Sequence, residues 1–373
     1  MDVVLPALIL IAFVAAWVYL PFAPAVRELQ ERTDVEPVKV VPESAVDVHY
    51  FANNYRRFID QHLAWPLARC REEGVNQYGK LEEGIPYAVV AGWDPQAPPV
   101  GMVLCSGTLR VPDKAVLRFE VYAGESLQGG ERCVYKSVLA ERDIDLAFRS
   151  TSLRWLHAGA TVRVDRDSWL YGRVSAGTSI ELAEGCAFER LHAPRVLFGR
   201  ELHVEIPAAR GALITPRDLP DIADISAGRW LIKGQVKLPA GRRLEADLVT
   251  TGDLRVSKGA QVKGSLKSHR DVYLGRGVEV HGSVVARRNL YIGEGCRIHG
   301  PVLAEEAIFV GVDCRIGSAE IPTTVSARRI HVSDGVVVHG TVWAHQEGLV
   351  TARALSGVKG LNGLNGPNGR NGA

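Results

Sequence analysis

The sequence predicts an all-β solenoid, a triangular parallel β-helix with about 18 residues per coil. The first observation is a repeat between residues 254 and 317, where apolar residues return every 18 positions in three columns. A fixed period of this length is typical of repeat proteins, in which each unit buries its apolar face only against its neighbours. The columns are Leu254, Val272, Leu290 and Ile308; Val256, Leu274, Ile292 and Val310; and Val262, Val280, Ile298 and Ile316.

The second observation is a period of six within each coil. Small or apolar residues recur every six positions from Leu274 to Ile316, with glycines between them. Many of these residues are β-branched, which is typical of short strands joined by tight corners and not of a helix. Each coil is therefore expected to contain three short strands that pair with the next coil at about 4.8 Å. The period leaves the handedness open.

An uncharged apolar segment, residues 3–26, lies near the start of the chain. It is long enough to cross a hydrocarbon core of roughly 30 Å. Because no Lys or Arg precedes it, we interpret it as a retained transmembrane helix, with a cleaved signal peptide as the alternative. The first basic residues, Arg27 and Arg32, follow the segment, so the bulk of the chain is expected on the cytoplasmic side. Residues 27–44 are interpreted as a linker.

Residues 45–134 are predicted to form a small α+β region that precedes the coils and covers one end of the solenoid. Apolar residues between Asp47 and Glu73 keep a helical period, which Pro66 interrupts. We expect this apolar stripe to pack on its own domain, with a lipid surface or a partner helix as the alternative.

The coils are predicted over residues 135–199 and 236–346, with an irregular, proline-containing segment at 200–235. After Gly317 the repeat lengthens by four residues, and we expect the insertion at Ile321. Residues 347–373, in which glycine occurs at every third position beyond Gly357, are interpreted as a flexible tail.

Composition and motifs favour a protein without a catalytic step. The net charge of +2 argues against a broad nucleic-acid surface, and the six cysteines lack metal-ligand spacing. The motifs of P-loop enzymes, serine hydrolases, zinc proteases and dinucleotide-binding enzymes are absent from the sequence. No catalytic residue, cofactor or metal site is therefore predicted.

Histidines recur as part of the repeat. His281 and His299 are one coil apart, each preceded by Val or Ile and followed by Gly, and His339 has the same context. Their neighbours are inward residues, so these side chains are expected to point outward in a ladder. A metal site would need further ligands converging from elsewhere, and acid–base chemistry would need a cleft. We interpret the ladder as solvated imidazoles on a flat face.

Two protein families are similar to this repeat. The six-residue pattern with Leu274-Gly, Ile292-Gly and Val310-Gly resembles the hexapeptide-repeat acyltransferases. That resemblance implies a left-handed trimer with a histidine near an acyl-donor groove, although the long excursion loop of those enzymes is missing.

The segment from Gly282 to Gly300 is similar to the bactofilin, or polymer-forming cytoskeletal, family. It contains Gly-x-Val-x-Ala and then a basic corner. A short apolar segment, Gly-x-Gly and a final His-Gly follow. The resemblance covers 236–345 and, more weakly, 135–198. It implies a right-handed β-helix that self-assembles without nucleotide and organises envelope or polysaccharide-synthesis proteins at the bacterial inner membrane.

The predicted function is therefore a membrane-anchored, self-assembling scaffold, with an acyltransferase as the alternative. A polysaccharide-binding or polysaccharide-cleaving β-helix ranks last, because we expect no regular aromatic or acidic ladder in the coils. Assembly into homo-oligomers is expected at the terminal coil, whose unpaired strand edge could accept another copy. We assign Val338, Val342 and Trp343 to this surface, and tail-to-tail dimers are the alternative to filaments.

Overall fold

The computed structural model describes residues 47–351 except 83, 95, 97, 203–210, 220, 221 and 227, together with Leu10, Phe13, Val14 and Trp17. By spatial contacts the chain forms two units, residues 1–47 and 48–373, and the solenoid belongs to the second. Apart from those four positions, the predicted span 3–26 and linker 27–44 lie outside the described residues, as does the tail beyond 351. No helix within the described residues has the length and apolar character needed to cross a membrane.

The second unit is a mostly-β parallel solenoid of about 14 turns with a spacing of about 18 residues. The predicted columns are confirmed, because Leu254 pairs with Val272, which pairs with Leu290 in the next coil. Val280 and Ile298, which the repeat places inside, are 0% and 1% exposed. The inward side chains form one apolar core along the coils, which burial of apolar surface stabilises.

In the first half of the solenoid, each coil combines a longer strand with a shorter one. The longer strands are β3 (Met102–Cys105), β5 (Val116–Ala123), β7 (Val134–Ala140), β9 (Thr151–Ala158), β11 (Trp169–Ala176) and β13 (Ala187–Phe198). The shorter strands are β4 (Leu109–Val111), β6 (Leu127–Gly129), β8 (Ile144–Leu146), β10 (Thr161–Val164) and β12 (Ser179–Leu182). Strands β1 (Gln77–Lys80) and β2 (Pro86–Val89) precede them.

In the second half, most coils contain three short strands, as the six-residue period predicts. After β14 (Ile222–Ser226), the strands are β15 (Arg229–Ile232), β16 (Val236–Leu238), β17 (Arg243–Leu244), β18 (Asp247–Thr250), β19 (Leu254–Val256), β20 (Gln261–Val262), β21 (Leu266–Ser268), β22 (Val272–Leu274), β23 (Glu279–Val280), β24 (Val284–Ala286), β25 (Asn289–Ile292), β26 (Arg297–Ile298), β27 (Val302–Ala304), β28 (Ala307–Val310), β29 (Arg315–Ile316), β30 (Thr323–Ser333) and β31 (Val336–Thr351). The predicted four-residue insertion is confirmed, because Ile308 pairs with Ile330.

The coils begin earlier than the predicted residue 135. Val103 already pairs in parallel with Val121, and Val121 with Val138. The second step is one residue short of the repeat, because the register shifts at a bulge between β5 and β7. A further shift makes Phe198 the partner of Leu182 and not of Ile180. Such shifts break the sequence columns while the backbone pairing continues.

Two other predicted boundaries also move. Strand β15, within the segment predicted to be irregular, pairs in parallel with β18 at the full 18-residue spacing, so the second half starts at Arg229. Strand β31 continues to Thr351, five residues beyond the predicted last coil. The connection between the halves contains a short 3₁₀ helix, Pro216–Asp218, and Leu213 forms a parallel bridge with Arg243.

Two helices precede the strands, α1 (Tyr50–His62) and α2 (Ala64–Glu73). They break at Leu63, and Pro66 lies in the first turn of α2, where its missing N–H costs little. The apolar side of α1 packs on outward residues of the first half, including Leu139 and Trp155. The predicted packing of the stripe on its own domain is therefore confirmed.

The helices cover a side of the solenoid, and strands β1 and β2 cover one edge of its end. The Arg56 guanidinium of α1 is 2.9 Å from the Glu141 carboxylate, which directly follows β7. Strand β7 lies two coils further along the solenoid than β3. At the end itself, β2 pairs in parallel with β3, and β1 pairs antiparallel with β2. The prediction that this region covers the end is thus correct for β1 and β2 and wrong for α1.

Four cysteines share one recurring corner position. Each thiol donates a hydrogen bond of 3.1–3.2 Å to the carbonyl oxygen 21 residues earlier: Cys133 to Pro112, Cys186 to Asp165, Cys296 to Gly275, and Cys314 to Gly293. All six cysteines are buried and free of disulfides. Burial raises the pKa of Cys186 to about 12, so the thiol stays protonated as a donor. These cysteines act as small core residues.

Candidate functional site

The predicted assembly edge is already occupied within the chain. Strand β31, which carries Val338 and Val342, pairs antiparallel with β13, the last strand of the first half. Val338 lies opposite Val196 and Val342 opposite Leu191. The two valines are 2% and 1% exposed, so they are core residues. The terminal coil therefore offers no open edge at these positions.

Polar and aromatic contacts reinforce this joint between β13 and β31. Trp343, 38% exposed, lies under the Arg190 guanidinium at 4.6 Å from its ring centre. His192 Nδ1 is 2.8 Å from the Thr341 hydroxyl, and His339 Nδ1 donates to the Pro194 carbonyl at 2.8 Å. The tail-to-tail contact expected between two copies thus occurs between the two halves of one chain.

The unpaired strand edges lie at the outer ends of the solenoid. Among the described strands, β4 pairs only with β6, and β16 only with β19. In β4, the Leu109 N–H donates to the next coil and the Val111 carbonyl accepts from it, so the backbone groups of Arg110 face the open side. The same pattern places the backbone groups of Lys237 on the open side of β16. Basic side chains at an edge oppose pairing between like edges.

His281 and His299 do form the predicted outward ladder, with their ring centres 4.8 Å apart. The prediction missed Glu279, whose Oε1 lies 3.3 Å from His281 Nε2 and 3.5 Å from His299 Nε2. The three side chains form a group that could hold a metal ion, which we call the His–Glu cluster. His339, the third predicted member of the ladder, lies at the joint instead.

The sequence contained the signal for Glu279. It is two residues before His281 in the same strand, and alternate residues of a strand point to the same side. Desolvation, followed by the positive charge of Lys263, lowers the pKa of His281. Both effects favour the neutral imidazole, which is the form in which histidine binds metals.

An aromatic ladder runs along another side of the second half, so the prediction of no such ladder is wrong. Tyr273, Tyr291 and Phe309 stack at 4.9 and 5.0 Å, and His331 follows Phe309 at 5.0 Å. The Arg255 guanidinium covers Tyr273 at 5.0 Å. Because the rings lie face to face, their faces are occupied by one another. The ladder thus stabilises the stack of coils and offers no free platform for a sugar ring.

A cleft of about 870 Å³ opens near the joint, beside the short strands of the first half. On its wall, Arg163 lies between Asp145 at 3.2 Å and Glu181 at 3.7 Å, one coil to either side. Asp334 also lines the cleft, and burial, followed by the negative charge of Glu184, raises its pKa. Five carboxylates and three arginines line the cleft, so it does not favour an anionic polymer.

Three histidines lie where α1 meets the first half. The His49 ring is 5.0 Å from His157 and 6.1 Å from His192. His157 is 5% exposed, and its Nδ1 is 2.9 Å from the Ser175 hydroxyl. Burial, with the nearby Arg56 charge, lowers the pKa of His157 to about 4. The buried ring is therefore neutral above about pH 4.

We expect this cluster to make the fold acid-sensitive. An unfolded histidine binds a proton below about pH 6.5, whereas folded His157 does so only below about 4. Stability should therefore fall as pH decreases between these values, by at most roughly 3 kcal/mol. Urea unfolding at pH 7 and pH 5 measures the part of this loss that occurs above pH 5, roughly 2 kcal/mol. The His157→Gln variant should lose less stability over that interval, and an equal loss in both proteins would contradict the assignment.

The comparisons with known proteins leave the family open. No family model, curated protein or solved structure matches this chain. The bactofilin resemblance and the acyltransferase alternative, with its trimer and donor groove, both stay predictions.

Proposed function

We propose that this chain is a non-catalytic structural scaffold that associates through the outer ends of its solenoid. The observation that supports the proposal most is continuous backbone pairing. It runs from β2 through the first half to β13 and then across the joint from β13 to β31. With about 14 turns at about 4.8 Å, the coils form a rod of roughly 65 Å. Such a rod resists bending because each coil is hydrogen-bonded to the next.

The ends of the rod decide how copies of the scaffold would meet. The backbone groups of Arg110 and Lys237 face the open sides of β4 and β16, where a strand from a second copy could pair. Their positive charges repel one another when two such ends approach. This arrangement favours short assemblies over long filaments, and salt should strengthen association by screening the repulsion.

Membrane attachment through residues 3–26 and a cytoplasmic position at a bacterial inner membrane remain part of this proposal. The support is the uncharged apolar sequence and the Lys and Arg residues that follow it. Envelope or polysaccharide-synthesis proteins are the partners that the bactofilin resemblance implies.

Substitutions at the two edge residues test association at the ends. In the Arg110→Gln/Lys237→Gln double variant, the backbone donors remain and the charges are gone, so the assembly mass should rise. The Arg110→Pro/Lys237→Pro variant lacks the same charges and also loses both backbone donors, at positions that face away from the intrachain pairing. Its mass should therefore be lower than that of the glutamine variant. The measurement is light scattering of the full chain in detergent at low and high salt.

The matched variants separate edge pairing from other contacts. Equal masses for the glutamine and proline variants would show that the edges do not carry association. A wild-type chain that stays monomeric at all protein and salt concentrations would contradict the self-assembling scaffold.

A further inference from the structure

The His–Glu cluster of Glu279, His281 and His299 has the composition and placement of a metal site. Glu279 and His281 lie two residues apart in one coil, with the inward Val280 between them. The pairing of Val280 with Ile298 then sets His299 beside His281 in the next coil. Strand alternation and coil register together thus bring three ligand atoms to one outer side.

The distances within the cluster suit a single ion. The three candidate ligand atoms all lie within 4.8 Å of one another, and Glu279 Oε1 is 3.3 and 3.5 Å from the two Nε2 atoms. A tetrahedral ion with ligands at about 2.0–2.2 Å places its ligand atoms roughly 3.3 Å apart. Small side-chain rotations are therefore sufficient to close the site around an ion, without a change in the backbone.

The surroundings of the cluster add two further observations. His299 Nε2 is shielded from solvent and makes no hydrogen bond with the described residues, and its nearest charged neighbour is Glu279 Oε1 at 3.5 Å. The amide of Gln261 donates to Glu279 Oε2 at 3.1 Å, which holds the carboxylate in place as an outer hydrogen bond does in metal sites. The three side chains are between 33% and 41% exposed, which leaves room for a water ligand.

Lys263 is the group that opposes a cation here. Its Nζ lies 3.3 Å from His281 Nε2, so an arriving ion must displace the ammonium group. Lysine side chains are long and flexible, and this one can turn toward solvent at small cost. Its charge nevertheless weakens binding, which supplies a specific test.

We propose that Glu279, His281 and His299 bind one divalent cation of intermediate softness, of the Zn²⁺ or Co²⁺ class, with water completing the coordination. Two imidazole nitrogens and one carboxylate oxygen are the donor set that such ions take in three-ligand sites. This inference does not depend on the scaffold proposal, since the ion would bridge two neighbouring coils whether or not the chain assembles.

The test is a titration of the tag-free full chain with Zn²⁺ in competition with a chromophoric chelator. We expect one ion per chain, with affinity reduced at least about ten-fold by His299→Gln or Glu279→Gln. Lys263→Gln should increase the affinity by about five-fold, because a positive charge close to the ion is removed. The matched control is His339→Gln, which has the same sequence context at the joint and should leave the affinity unchanged.

Co²⁺ provides a second readout, because its visible absorption reports nitrogen and oxygen coordination. We expect absorption bands in the wild-type chain that disappear in His299→Gln. The side chains of Glu279, His299 and Lys263 point outward, so circular dichroism should show that their variants are folded. Absence of Zn²⁺ binding by the wild-type chain, or equal affinities of the wild type, His299→Gln and Glu279→Gln, would overturn the proposal.

Discussion

Replacing Val342 by aspartate is expected to destabilise the protein by roughly 4 kcal/mol or more. Val342 is 1% exposed and faces Leu191 across the joint. A carboxylate at this position would lose its water without gaining a partner. In a solenoid, stability is approximately a sum of terms for each repeat and each interface, so loss of this interface should let the two halves unfold separately.

Urea unfolding followed by far-ultraviolet circular dichroism measures this effect. We expect a lower midpoint and two transitions in Val342→Asp, with a smaller loss at acidic pH, where the introduced carboxylate binds a proton. The control is Gln346→Asp, an exposed position of the same strand, which should change stability by no more than about 0.5 kcal/mol. Equal unfolding curves for both variants would show that β31 does not pair with β13.

The second large effect is expected where Phe188 meets Gly348. These residues are direct partners in the joint, and a Cβ added at Gly348 would lie 2.2 Å from the Phe188 ring. Phe188 is 2% exposed and contacts Phe198, with ring centres 5.5 Å apart. Phe188→Ala should cost about 3–5 kcal/mol through the cavity it leaves. Gly348→Val should cost about 1–3 kcal/mol or more through overpacking.

The double variant distinguishes this contact from general damage to the core. With Phe188→Ala in place, the valine of Gly348→Val enters vacated space, so the combined loss should be smaller than the sum of the two single losses. Denaturant unfolding of the four proteins gives the coupling free energy. A coupling near zero would mean that the two residues do not touch, and that the antiparallel register of the joint is wrong.

The edge that we assigned to assembly illustrates how a correct fold can support an incorrect surface. The repeat correctly predicts that a solenoid ends near residue 346 with an apolar coil. It contains nothing about what covers that coil, because Val342 and Leu191 belong to separate repeats with no common register. Charged substitution of Val338 or Val342 therefore tests folding, and Arg110 and Lys237 become the positions that test assembly.

The candidate metal site was half visible in the sequence. The 18-residue period places His281 beside His299, and strand alternation places Glu279 on the same side. What the sequence does not contain is the distance between the carboxylate and each imidazole, which depends on side-chain rotation and coil spacing. The aromatic ladder was visible by the same period, as Tyr273, Tyr291 and Phe309 recur every 18 residues.

The sequence by itself determined the coil, because a period of 18 with apolar residues every six positions can bury its side chains only by stacking on itself. It determined the core columns from Leu254 to Ile316 and the insertion after Gly317 for the same reason. Only the tertiary structure decided that the coils begin near Met102, since a bulge changes the sequence register without breaking the backbone pairing. Only the tertiary structure also closed β13 against β31, because this contact joins residues about 150 positions apart whose meeting depends on the path of the whole chain.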